Sequence, residues 1–191
     1  MMPRFSGIPY DDAPSALAAD SLRPQFHLLP AANWMNDPNG PIYWRGQYHM
    51  FFQYNPNAAV WGDMHWAHAV SPDMVHWRHL PIALAPTPGG PDQDGCFTGS
   101  AVDDGGTATF LYTGVSAAAP EQATLRDGLH NFRETQLLAT STDADLRDWK
   151  KLAQAVIEPP RDPLLTGFRD PFLWKDSSTW YLGVASGHRR E

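Results

Sequence analysis

Two aspartates of this sequence stand directly before a proline, each in an aromatic setting. Asp37 lies in Asn33-Trp34-Met35-Asn36-Asp37-Pro38-Asn39-Gly40, and Asp170 in Phe168-Arg169-Asp170-Pro171-Phe172. A following proline restricts the aspartate to extended geometry and removes the amide to which a turn-type carboxylate would first bond. The carboxylate is then held stiffly and left free for chemistry. Trp34 and Met35 suit a pocket floor better than a solvated loop, and the phenylalanines around Asp170 point to partial burial. Arg169 is expected to keep Asp170 ionised. Two fixed carboxylates around one bond are what glycoside hydrolysis uses. The competing reading takes Asn36-Asp37-Pro38-Asn39-Gly40 as a turn, since every residue in it favours one. Asp162-Pro163 shares the dipeptide without the aromatic residues and reads as a turn.

The two acids are far apart in the chain, so only a closed fold could bring them together. The 15 Gly and 18 Pro are spread throughout, which argues against long helices. Between them lie aromatic and β-branched runs at 41–44, 48–54, 64–70, 108–113, 136–141 and 180–185 that read as strands. Arg45-Gly46 reads as a hairpin turn between the first two. Only Asp12 to Asp20 has helical character, and it is short. A weak repeat relates Ala69-Val70-Ser71-Pro72-Asp73 with Trp77 to Ala139-Thr140-Ser141-Thr142-Asp143 with Trp149. A strand ending in Ser-x-Asp, a turn and a Trp that opens the next strand is the repeat unit of radially arranged blades. Ser-x-Asp is also ordinary turn chemistry.

At 191 residues the chain has room for about one domain, and 42% apolar with 18% charged residues is a globular balance. No apolar run approaches the roughly 18 residues of a membrane helix. A net charge of −7 without a Lys/Arg cluster excludes the usual electrostatics of nucleic-acid binding. The single Cys96 permits neither an internal disulfide nor a cysteine-based zinc site. The first residues show no signal peptide, so a cytoplasmic location is expected over a secreted one.

The sequence resembles the N-terminal portion of glycoside hydrolase family 32, the β-fructofuranosidases that include invertases, inulinases and levanases. Matching segments run in one order from Arg23-Pro24-Gln25-Phe26-His27 to about Gly187. They include 33–40, 48–56, Trp61-Gly62, 66–77, 80–84, Gly95-Cys96-Phe97-Thr98-Gly99-Ser100, Tyr112-Thr113-Gly114 and 168–171. The resemblance implies an all-β fold, a five-bladed β-propeller of which this chain holds about three blades. Residues 23–191 would be the incomplete propeller domain and 1–22 a poorly ordered leader. It implies hydrolysis of terminal non-reducing β-D-fructofuranosides, sucrose or fructans, by a retaining double displacement. Asp37 would be the nucleophile, and Asp170, with Arg169 beside it, would hold sugar hydroxyls. Trp34, Asn36, Gln53, Trp61, Phe97 and Thr98 would line the fructose pocket. The family usually has Ser where Thr98 stands, and Thr keeps the hydroxyl.

The family's acid/base is a Glu in a Glu-Cys-Pro motif. None of the four Glu residues here, Glu121, Glu134, Glu158 and Glu191, precedes a Cys. No residue can be assigned that role, and the chain is expected to end before the motif and to be inactive alone. Two other readings stay open, a non-catalytic sucrose- or fructan-binding protein and a fructosyltransferase. No metal or cofactor is expected. The pairs His65/His68 and His76/His79 are three apart, which on a strand turns them to opposite faces, and they read as structural. Trp66, Trp77, Trp149 and Trp180 read as propeller core, Trp34 and Trp61 as sugar contacts.

Overall fold

Arg45 and Gly46 both take positive φ, 46° and 92°, and close a two-residue hairpin in which Trp44 pairs with Gln47. That backbone twist matches the twist of the strands it joins. The turn links β1 (Trp34–Trp44) to β2 (Gln47–Asn55), and antiparallel pairing continues outward through β3 (His65–Ser71) to β4 (Arg78–Leu84). The computed structural model describes residues 19–24, 27–126 and 128–189. The expected leader and its helical stretch lie outside the described residues up to residue 18.

A second sheet is built from β5 (Gly95–Asp103), β6 (Ala108–Ala117), the short β7 (Leu125–Arg126), β8 (Asn131–Ser141) and the short β9 (Lys150–Lys151). Its order is β5-β6-β8, with β7 and β9 both paired to β8. The third sheet is the hairpin of β10 (Leu165–Asp176) and β11 (Thr179–His188). The protein is all-β, a partial propeller of two full sheets and a third with two strands. Each sheet starts with its innermost strand. β1 packs against β5, and β5 against β10.

The repeat seen in the sequence is a structural repeat. Asp73 N and Met74 N donate to Ser71 Oγ, and Asp143 N donates to Ser141 Oγ. Met74 and Leu146 take positive φ at matching places, and Trp77 and Trp149 donate from Nε1 to Met74 O and Leu146 O at 3.1 and 2.8 Å. Each indole thus locks the turn that precedes it. Both tryptophans stand one residue before their strand.

Between the first two sheets lies the main core: Phe51 and Trp66 from one, Phe110, Tyr112 and Leu137 from the other, with Leu146 beneath. Trp149 stacks on Phe110 with ring centroids 3.4 Å apart, and Phe51 meets Phe110 edge-on at 4.6 Å. The opposite face of the first sheet buries Phe52, Tyr54, Ala67 and Ala69 with Trp77 and Ile82. Trp66 is core as expected, Trp149 packs against that core, Trp77 packs against the cluster on the opposite face, and Trp180 is only half-buried on the third sheet. Inside the first sheet, His49 Nδ1 and His68 Nε2 lie 2.8 Å apart, both buried, and His68 Nδ1 meets no polar partner. His76 pairs instead with exposed Asp73 in the turn.

Every strand read from the sequence is present. The notable difference is at the start of β1, where Asn36 to Gly40 are strand and not a turn. Two register shifts, between Met35 and Pro38 and between Asn39 and Ile42, let these residues follow β2 without regular pairing. β1 is the inner edge of its sheet, where a proline removes no needed donor.

Candidate active site

The three motif residues occupy equivalent positions. Asp37 is on β1, Thr98 on β5 and Asp170 on β10, so each sheet contributes from its first strand. Each also sits in a register irregularity: between Met35 and Pro38, between Cys96 and Gly99, and between Arg169 and Phe172. A bulge breaks the strict alternation of side chains and re-aims the residue it carries. Asp170 shows this most clearly: its φ is 57°, so it takes not the extended geometry expected before Pro171 but a left-handed backbone that Asp tolerates better than most residues.

Thr98 Oγ1 donates to Asp37 Oδ2 at 2.8 Å, so Asp37 has a hydroxyl partner where the sequence suggested a free carboxylate. A cleft of about 250 Å³ separates the sheets here, lined by Pro38, Gly40, Thr98, Ser100, Asp170 and Phe172 among others. Gly40 forms its floor at φ 44°, where a Cβ would press on Ala101 and Trp66 at 3.1 and 3.2 Å. A side chain there would strain a left-handed backbone and crowd both neighbours.

Around this centre the remaining expected residues fall into distinct groups. Trp34 Nε1 donates to Asn36 Oδ1 at 2.8 Å, both half-buried beside Asp37. Trp61, 41% exposed, meets the ring of Phe97 edge-on at 5.9 Å. Gln53 is buried, and its Nε2 donates to Cys96 O at 3.0 Å, so its amide steadies β5 from behind.

Arg169 faces two carboxylates. Its guanidinium Nη1 lies 2.6 Å from Glu134 Oε1, while Nε is 4.0 Å from Asp170 Oδ2. The Asp170 carboxyl is held above the usual carboxylate range: burial raises it, Arg169 opposes, and Asp37 and Glu134 add to the rise. Arg169 favours the ionised form of Asp170, as expected, but burial, the largest influence, and the Asp37 and Glu134 charges work against it. Of the flanking phenylalanines, Phe168 is buried and Phe172 is 64% exposed.

Sequence reasoning passed over a polar layer that supports β10. Glu134 Oε2 accepts from Phe168 N at 2.8 Å, and Gln136 Nε2 donates to Phe168 O at 2.7 Å. Thr113 Oγ1 accepts from Asp170 N and donates to Gln136 Oε1, and Ser100 Oγ accepts from Leu173 N. Four side chains of the second sheet thus stand in for a backbone ladder to the third. The one available signal was Glu134-x-Gln136, two polar residues on the same face of a strand otherwise rich in apolar groups. Glu134 is buried, exposed Glu158 pairs with Arg133, Glu121 is exposed before β7, and Glu191 lies outside the described residues. Among the described residues no group of three or more His, Cys, Asp or Glu side chains could hold a metal ion.

Residues 27–191 match the model of the glycosyl hydrolases family 32 N-terminal domain. Sucrose-6-phosphate hydrolase of Zymomonas mobilis is 45% identical over 168 residues, covering 88% of this chain and 30% of that protein. Levanase of Bacillus subtilis is 41% identical over 183 residues, 94% of this chain and 25% of that protein. The solved structure of a Bombyx mori family 32 β-fructofuranosidase superposes with a TM-score of 0.72 at 37% identity, over 86% of this chain and 32% of that one. The chain spans between a quarter and a third of the length of these proteins.

Proposed function

Because the chain belongs to glycoside hydrolase family 32, we propose that it carries the fructose-binding half-site of a retaining β-fructofuranosidase. Its substrates would be terminal β-D-fructofuranosides such as sucrose or fructans. The observation that supports this most is that three sheets meet at one place: Thr98 and Asp170 line one cleft, and Thr98 holds Asp37 beside it. Asp37 attacks the anomeric carbon and forms a fructosyl ester, which water then opens. Thr98 holds Oδ2 and leaves Oδ1 to the reacting carbon. Asp170 accepts hydrogen bonds from ring hydroxyls as the sugar flattens toward the oxocarbenium-like transition state. Trp34 with Asn36, and Trp61 with Phe97, border the ring and the group that leaves. The proton for the leaving group comes from a carboxyl not assigned in these residues, since Glu134 and Glu158 are engaged elsewhere.

The test is to incubate the full-length gene product with sucrose and with a fructan and to follow fructose release beside the Asp37→Asn variant. Release that the variant abolishes supports the reading. Binding without turnover would replace it with a non-catalytic carbohydrate-binding protein, and fructosyl oligomers in place of free fructose would make it a transferase.

A further inference from the structure

Glu134 is a fully buried carboxylate whose contacts run toward the segment carrying Asp170. Oε1 faces Arg169 Nη1 at 2.6 Å, while Oε2 accepts from Phe168 N at 2.8 Å and from Thr124 Oγ1 at 2.7 Å. A buried charge is costly unless it is paired and hydrogen-bonded, so Glu134 draws the guanidinium inward. Arg169 adjoins Asp170 in sequence, and without Glu134 its nearest carboxylate would be Asp170, now 4.0 Å away. Gln136, two residues along the same face, grips Phe168 O at 2.7 Å, so the peptide before Arg169 is held from both sides.

We propose that Glu134 is a positioning residue of this site: it keeps Arg169 on the interior side of β10, so that the guanidinium reaches Asp170 only at 4.0 Å and leaves its carboxylate available to the cleft. This rests on the reading of Asp170 as the carboxylate that holds substrate hydroxyls. The charged groups around Asp170 are Asp37 on β1, Glu134 on β8 and Arg169 on β10 itself. A carboxylate already paired to a guanidinium would have to surrender that partner before it could accept bonds from a sugar. With Arg169 held inward, Asp170 can accept them directly.

The experiment is a carbon-13 titration of the Asp170 carboxyl in the full-length gene product, identified by its loss in Asp170→Asn, with sucrose turnover measured alongside. Glu134→Gln keeps an oxygen for Phe168 N and removes the charge that holds Arg169. Loss of the Glu134 charge lowers Asp170 by itself; with Arg169 also turning to Asp170, the titration falls by about half a pH unit or more beyond the fall that the same substitution causes in an Arg169→Gln background, and kcat drops at least about tenfold. In an Arg169→Gln background the same substitution costs less than about twofold more in kcat, because both changes act through one contact. If Glu134→Gln does not fold, Glu134→Asp keeps the charge but retracts it, and a smaller shift in the same direction is expected. An Asp170 titration that falls no further than it does in the Arg169→Gln background, or fully additive losses in the double variant, overturns the proposal. A moved titration in a protein that turns over no fructoside supports the positioning role and overturns the catalytic reading instead.

Discussion

At the scale of single residues, the two carboxylates of the proposed site have different surroundings. Asp37 is steadied by the Thr98 hydroxyl, and its replacement by Asn in the full-length protein should lower sucrose turnover by several orders of magnitude, since the covalent route is lost. Turnover within tenfold of the wild type would move the nucleophile elsewhere. Asp170 should show in kcat more than in KM, because bonds that strengthen as the sugar flattens act on the transition state. Its variant must be chosen with care. At φ 57° Asn is tolerated while Ala is strained, so Asp170→Ala mixes a chemical loss with a backbone one. Burial raises the Asp170 carboxyl above its unfolded value, so the ionised form disfavours the fold at neutral pH and the protonated form favours it at low pH. Asp170→Asn is therefore expected to melt at a slightly higher temperature than the parent at pH 7, and below the carboxylate range that difference should vanish. Both aspartates were legible in the sequence because proline and aromatic neighbours mark them. Glu134 was not, because its meaning lies in Phe168 and Arg169, far along the chain.

At the scale of elements, the candidate site residues stand where their strands are irregular. The sequence announced strands by their aromatic and β-branched runs, and it concealed the first half of β1 because Asn, Asp, Pro and Gly are turn formers. Three long strands, β4, β5 and β10, carry too many glycines, prolines or charges to stand out. Their places are set by partners, such as the close approach at Gly99, where a Cβ would lie 2.2 Å from Leu111 O and 2.6 Å from Tyr112 Cα. Gly99→Ala should push β5 off β6 and carry Thr98 with it. A loss of about 2 kcal/mol or more is expected from such a backbone clash, read as a lower midpoint in urea. Unchanged stability would mean that β5 has slack. The His49–His68 pair predicts an acid sensitivity. Burial, the largest influence, lowers His49 to about 4 against an ordinary 6.5 and lowers His68 well below it. The unfolded chain takes up these protons first, so stability is full above 6.5 and declines as pH falls toward 4. The melting temperature followed over that range should fall, and fall less steeply in His49→Gln. Parallel curves would exclude the pair as the cause.

At the scale of the molecule, the propeller was legible only through its repeat, Ser-x-Asp followed by Trp, whose indole closes the same turn in both full sheets. The polar layer between the second and third sheets had no such mark, because Ser100, Thr113, Glu134 and Gln136 act on backbone atoms of another sheet. The third sheet leaves Phe172, Trp174 and Tyr181 exposed at 64%, 43% and 45%, and β11 has an open edge. Expressed as these 191 residues, the polypeptide should self-associate, and Trp174→Lys should reduce that association in light scattering. A monodisperse parent would show that the face is tolerated in water. The innermost placement of all three site residues also bears on how the molecule can vary. Strands lie about 4.8 Å apart, so the fourth strand of a sheet is roughly 14 Å from the first. A sheet that pivots about its inner strand swings its rim through an ångström or more while the hub barely moves. Changes in the rim hairpins can thus reshape the surface around the cleft while the distance from Asp37 to Thr98 stays fixed at the fulcrum.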